Sequence, residues 1–226
     1  VVDILSKQIT EILPLGFKDF SLQGNEIDPS NRDDRLELRS VPAFGMYQPD
    51  AIAYYSVNGQ DFIVTANEGD GREYEGNPGF VEVFRVGDDE IVLDAEAFPD
   101  FETLQLDENL GRLEVTNTLG DTDGDGDFDE LYAFGARSIS IWSGQGQLVF
   151  DSGNQLAAIA LERTPEAFNG GVGNVDSRSD DAGPEPEAVS VQQIGDRQIL
   201  FVGLERNSQV MVFDITNPSF PEFVQL

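Results

Sequence analysis

Nine residues near the middle of the chain, Asp121-Thr122-Asp123-Gly124-Asp125-Gly126-Asp127-Phe128-Asp129, place carboxylates at every second position around two glycines. A hard cation such as Ca²⁺ takes about 6–8 oxygen ligands at roughly 2.3–2.6 Å, and a loop curling around the ion supplies them from alternate side chains. Asp121, Asp123, Asp125 and Asp129 are therefore the candidate ligands. Gly126 takes the bend, and Asp127 is placed to contribute its carbonyl. Carboxylates this close repel one another unless a cation lies between them. The alternative is an acidic, glycine-rich surface turn that binds nothing. An EF-hand would need a bidentate glutamate where Tyr132 stands, and Leu131-Tyr132-Ala133-Phe134 reads as a strand. The expectation is a calcium loop that runs into a β-strand.

A second set of acids is defined by an internal repeat. Pro49-Asp50-Ala51-Ile52 aligns without a gap on Pro186-Glu187-Ala188-Val189, and the match runs on to place Glu68 on Glu205. The acids Asp50, Glu68, Glu187 and Glu205 thus fall at strand starts and ends, with Arg72, Arg137, Arg178 and Arg206 nearby in sequence. Glu68, Glu187, Glu205 and Arg206 are the weak catalytic candidates. Carboxylates would hold Ca²⁺ against a phosphate while an arginine stabilised developing charge. The competing reading is that they are structural ion pairs capping loops. A third acidic stretch, Asp176, Asp180, Asp181, Glu185 and Glu187, lies in a long glycine-rich loop, and the sequence leaves open whether that loop holds a second metal.

The elements that must position these groups read as β throughout. Pro49–Tyr55 and Asp61–Ala66 flank an Asn58-Gly59 hairpin turn, and Phe80–Val86 follows as a further strand. The second copy runs through Gly195-Asp196 to Gln198–Val202 and Gln209–Ile215. A partial third copy follows the acidic loop as Glu130–Gly135, Ser138–Trp142 and Leu148–Asp151. Repeat-like units therefore stand near 49–86, 129–151 and 186–215. Repeated meanders of this kind read as β-propeller blades, with a β-sandwich as the alternative. Ile9–Leu15 and Leu36–Val41 are further strand candidates. Leu156–Arg163 is a short surface helix stopped before Pro165.

The composition narrows the function. Of 226 residues, 39% are hydrophobic and 10% aromatic, within the globular range. Asp and Glu number 43 against 13 Lys and Arg, a formal charge of −30, which makes nucleic acid and anionic membranes poor partners and divalent cations good ones. The chain has no histidine and no cysteine, so disulfides, thiol chemistry, zinc fingers and histidine-based triads are excluded within it. There is no Gly-x-Ser-x-Gly elbow. No apolar run approaches the ~20 residues of a membrane span, and the start at Val1 reads as a processed or excised form.

Several stretches together resemble the choice-of-anchor I family of bacterial secreted or surface-anchored β-propeller proteins. They are Met46–Ile52, Asn67–Asp70, Glu108–Leu113, Gly120–Phe134, Arg178–Glu187 and Gly203–Arg206, and the resemblance covers nearly the whole chain. Calcium loops between strands also occur in integrin-type propeller blades. Asn169–Asn174 departs from the family pattern, where a more acidic loop is usual. Some family members are labelled alkaline phosphatase or phytase-like esterase. The resemblance implies that residues 1–226 form part of one propeller domain, roughly three to four blades with long acidic loops. It also implies an extracellular, periplasmic or cell-surface location, with calcium and a phosphate ester or surface ligand as partners. Two functions follow: a calcium-binding extracellular module, or a calcium-dependent phosphoesterase whose full site needs the rest of the domain.

Overall fold

The computed structural model describes residues 1–226, and its strands dominate. In chain order they are β1 (Val2–Asp3), β2 (Gln8–Ile9), β3 (Phe17–Asp19), β4 (Phe44–Met46), β5 (Ala51–Val57), β6 (Gln60–Asn67), β7 (Glu73–Tyr74), β8 (Phe80–Val81) and β9 (Val83–Arg85). Then come β10 (Glu114–Thr116), β11 (Tyr132–Ala133), β12 (Ser138–Ser143), β13 (Leu148–Asp151), β14 (Pro186–Ile194), β15 (Arg197–Leu204), β16 (Gln209–Asp214) and β17 (Glu222–Gln225). The α-helices are the single turn α1 (Phe101–Leu104) and α2 (Gln155–Arg163). The chain is all-β.

Two four-stranded antiparallel sheets are built on the repeated hairpin. The first has the order β13-β12-β6-β5 and the third, C-terminal one β14-β15-β16-β17. Their hairpins share one register: Ala51 faces Ala66 and Val57 faces Gln60, as Ala188 faces Gly203 and Ile194 faces Arg197. The turns explain the match. Asn58 and Gly59 both take positive φ (54° and 75°), as a two-residue turn matched to strand twist requires, and Gly195 does the same at 67°. In the C-terminal sheet the third strand follows after a short turn, with Leu204 pairing to Gln209. In the first sheet Asn67 pairs with Ser138, so residues 68–137 are inserted between its second and third strands.

That insertion contributes most of a middle, five-stranded sheet of order β3-β4-β11-β10-β9, where β4 and β11 run parallel. The strand pairing therefore divides the repeat differently from the sequence units. Val83–Arg85 pairs with Glu114–Thr116 rather than with the Ala51–Asn67 hairpin, and Tyr132–Ala133 joins the middle sheet. Ser138–Ser143 and Leu148–Asp151, read as a third copy, complete the first sheet. The sheets do not close into a barrel or a propeller ring. The strand expected at Ile9–Leu15 shrinks to Gln8–Ile9, and Leu36–Val41 makes only a single bridge, Arg39 to Ile27.

Each core sits where apolar faces meet. Tyr55, Phe62, Val64, Ile139 and Ile141 of the first sheet pack with Leu200, Val202, Leu204, Met211 and Phe213 of the C-terminal sheet. Helix α2 closes this core with Leu156, Ala157 and Ala160, so it is half-buried rather than a surface helix. Burying each large side chain fully contributes about 1.5–3 kcal/mol. A second core under the middle sheet gathers Phe20, Ile91, Leu113, Leu131 and Phe128. Arg137, entirely buried, joins the two parts. It donates to the carbonyls of Asp28 (3.1 Å) and Ser179 (2.7 Å) and to that of Asp181, and so holds the long loop that carries the third acidic stretch.

Candidate functional site: an acidic loop and an acidic cleft

The Asp121–Asp129 loop connects β10 to β11 and is anchored at its C-terminal end. Phe128 is buried, its amide donates to Val92 O and its carbonyl accepts from Asp94 N. Gly120, at φ +109°, lies so close to the Glu130 carbonyl that a Cβ would come within 2.2 Å of it. Side-chain to backbone bonds wind the loop. Asp121 accepts from the amides of Gly124 (2.6 Å) and Gly126 (3.2 Å), Asp123 from Asp125, and Asp129 from both the amide and hydroxyl of Thr122. These turns leave carboxylate oxygens of Asp121, Asp123 and Asp129 within 4.8 Å of one another. Asp125 and Asp127 stay outside that trio. Repulsion from Asp125 raises the Asp123 carboxyl, and Asp127 is raised to about 6, chiefly by desolvation and then by Asp125. Asp129 is lowered by its bonds to Thr122. No lysine or arginine pairs with any of the five.

The repeat-derived acids converge elsewhere. Where the first hairpin meets the C-terminal one, a cleft of about 460 Å³ is lined by Asp50, Glu68, Asp70, Asp181, Glu185 and Glu187 together with Arg178 and Arg206. Carboxylate oxygens of Glu68, Glu185 and Glu205 lie within 4.8 Å of one another. Glu187 lines the cleft but is exposed and lies outside this trio. Arg206 bonds Glu185 at 2.6 Å and lies 3.3 Å from Glu205, and Arg178 bonds the other oxygen of Glu185 at 2.9 Å. Arg178 also pairs with Asp181. The ion-pair reading thus holds for Glu185 and Glu205, whereas Glu68 has no ion pair. Burial, then the charges of Glu185, Asp50, Glu187 and Glu205, push the Glu68 carboxyl up to about 8.

Glu185 belongs to the third acidic stretch, and the repeat points to it more sharply than the loop's composition does. Extending the alignment one residue upstream of the prolines sets Gln48 against Glu185, and both take positive φ, 33° and 49°. Gln48 uses its amide to bond Asp70 O and Gly135 N, and Glu185 uses its carboxylate to gather the two arginines. Arg72 and Arg137, grouped with the cleft by sequence, lie apart from it: Arg72 pairs with Glu82 and Arg137 holds carbonyls. Glu68 is held by a tight crossing of backbones. A Cβ on Gly135, at φ +71°, would fall 1.6 Å from Glu68 O, and one on Gly69 would fall 1.9 Å from Gly135 N.

Fold and site together define an all-β protein of repeated sheets with acidic, oxygen-rich loops. The choice-of-anchor I domain model matches residues 1–218, and the chain belongs to that family. It is 29% identical over 242 residues to a mesenchyme-specific cell surface glycoprotein of Strongylocentrotus purpuratus, an alignment covering 91% of this chain and 30% of that protein. It is 32% identical over 123 residues to Gigasin-3a of Magallana gigas, covering 51% of this chain and 43% of that one. The chain therefore spans less than half the length of either relative. No solved structure matches.

Proposed function

We propose that this chain is a calcium-binding β-propeller module of an extracellular, periplasmic or cell-surface protein. The observation that carries the reading is the meeting of Asp121, Asp123 and Asp129 oxygens in a wound loop with no cationic side chain to neutralise them. A hard, oxygen-only donor set fits Ca²⁺ and offers nothing to softer metals. The surface location is supported by the family's description and by the printed name of the sea-urchin relative. No helix is long and apolar enough to cross a membrane. The propeller reading is supported by the two hairpins of identical register, packed side by side.

Titration calorimetry with Ca²⁺ tests this on the wild type and on an Asp123→Ala, Asp125→Ala double variant. The expected result is loss of a saturable binding event in the variant. Equal heats from the two proteins would overturn the loop assignment.

A second reading, calcium-dependent phosphoester hydrolysis by the longer protein, is favoured by one feature. The cleft sets Glu68, which has no cationic partner, beside the guanidinium groups of Arg178 and Arg206. Carboxylates there would hold a cation, and the arginines would face the phosphate oxygens it brings.

A further inference from the structure

The loop that supplies Arg178, Asp181 and Glu185 to the cleft is fastened by a buried polar hub. Arg137 and Asn169 form its centre, at 4% and 1% exposed, and both take positive φ, 53° and 44°. The terminal nitrogens of Arg137 hold the carbonyls of Asp28, Ser179 and Asp181, which leaves its Nε–H buried and without a protein partner. The backbone N–H of Asn169 donates to Asn207 Oδ1 (3.1 Å), and its side-chain Nδ2 donates to Ser179 Oγ (2.9 Å). The Asn169 Oδ1 is likewise buried and unpartnered. Ser179 and Asn207 adjoin Arg178 and Arg206, so the hub sets where both cleft arginines leave the backbone.

The orientation of the Asn169 amide is fixed by its partner. Ser179 Oγ carries one hydrogen, which goes to Asp176 Oδ1 at 2.5 Å, so towards Asn169 it can only accept. Nδ2 therefore faces Ser179, and Oδ1 faces away from it. Arg137 and Asn169 line one small void, together with Lys18, Glu26, Asp28 and Ala157. The void has about 10 Å³ open to the centre of a water molecule, and a single water needs about that much. Native interiors seldom leave such groups bare.

We propose that this void is a binding site for one internal water molecule, which accepts from Arg137 Nε–H and donates to Asn169 Oδ1. The two groups select the occupant. Nε–H only donates and Oδ1 only accepts, so whatever sits between them must do both within the volume of one very small molecule. A metal cation or an ammonium ion cannot accept from Nε–H, and a halide cannot donate to Oδ1. Water does both. Its second hydrogen is available to Asp28, whose two oxygens accept one amide each, from Ser30 at 3.4 Å and Glu37 at 3.1 Å. Lys18 does not compete, because its three hydrogens go to Ala136 O, Gly153 O and Asp151. The water thus ties the segment carrying Asp28 and the 169–185 stretch to Arg137, and serves as a structural ligand behind the cleft. The site lies apart from the Asp121–Asp129 loop and depends neither on cation binding nor on the repeat, so each can fail alone.

A crystal structure of the wild type, at a resolution that orders solvent, is the first test. The expected result is a water peak within about 2.7–3.2 Å of both Arg137 Nε and Asn169 Oδ1. A dry void overturns the proposal, and so does an Asn169 amide turned to set Nδ2 towards Arg137. Magnetic relaxation dispersion of the water oxygen signal then counts long-lived internal waters in solution, where no lattice holds them. A wild type with none would also overturn it. Ala157→Val sets two methyl groups against the void and should lower that count by one per molecule. With both polar groups then bare, its folding equilibrium constant should fall by about tenfold. Filling a dry void acts in the opposite sense, so a more stable Ala157→Val with an unchanged count sinks the proposal. Should that variant fail to fold, the wild-type structure and water count decide alone.

Discussion

Glu68 and Glu205, equivalent residues of two hairpins, bring carboxylate oxygens within 4.8 Å of one another. Glu205 is relieved by Arg206, but Glu68 is not. Because burial and four neighbouring acids raise its carboxyl from the ordinary 4.5 to about 8, native protein holds a proton there that unfolded protein releases. In EDTA, stability should therefore fall as pH rises from about 4.5 through about 8. Glu68→Gln should flatten that fall. Melting curves between those limits decide it: parallel wild-type and variant profiles would remove Glu68 as the strained member.

The opposite sign is expected at Glu82. Arg72 grips both of its oxygens, at 2.8 and 2.7 Å, and holds the carboxyl down at about 2. Its contribution is present above about 4.5 and is lost as pH falls toward 2. Glu82→Gln should lower the melting temperature at neutral pH by an amount that shrinks on acidification. A deficit that is constant with pH would show that packing, not charge, is what the residue supplies.

Gly135 gives a test of how the cleft is positioned. With φ +71° and a carbonyl 1.6 Å from where a Cβ would stand, Gly135→Ala cannot be absorbed by a side-chain shift. Strained backbone positions cost on the order of 1–3 kcal/mol, and displacing the Glu68 backbone adds to that. A loss of at least about 2 kcal/mol in denaturant unfolding is expected. Gly124→Ala has φ +84° but open space, so it should cost less. Equal losses would mean that the backbone crossing does not matter.

Calcium should stabilise the fold through the Asp121–Asp129 loop. Ligand that binds only native protein adds about 2.7 kcal/mol at a hundredfold excess over its dissociation constant. The melting temperature should rise with Ca²⁺, and the Asp123→Ala, Asp125→Ala variant should lose that rise. If the two proteins respond alike, the cation is bound elsewhere, and the cleft is the place to look.

Local signals carried the repeat, and what they could not carry was connectivity. Pro49 and Pro186, the Asn58-Gly59 and Gly195 turns, and the alternation of Phe62, Val64 and Ala66 are short-range features, so both hairpins could be read. The return at Ser138 to a partner as distant as Asn67 has no local signal, because either hairpin ends in a third strand of similar composition. The Asp121, Asp123 and Asp129 trio follows from spacing along one loop. The Glu68, Glu185 and Glu205 trio depends on two sheets meeting. Glu185 was legible only through its alignment with Gln48, since its neighbours in the loop are acidic too.

The last prediction concerns catalysis by this chain. A phosphoesterase would need carboxylates free to take a cation and a guanidinium free to meet the phosphate. In the cleft Glu185 is buried between Arg178 and Arg206, and Arg178 also bonds Asp181, so both cations are already neutralised. Glu68, Asp50, Asp70 and Glu187 remain without an ion pair, and a cooperative site that lacks even one member loses orders of magnitude in rate. The 226-residue chain is therefore expected to show no phosphomonoester turnover above background, even with saturating Ca²⁺. The assay uses p-nitrophenyl phosphate with and without EDTA, alongside Glu68→Gln and Glu205→Gln. Turnover that EDTA abolishes and Glu68→Gln removes would show that the cleft is a working centre and that its ion pairs open when a cation binds.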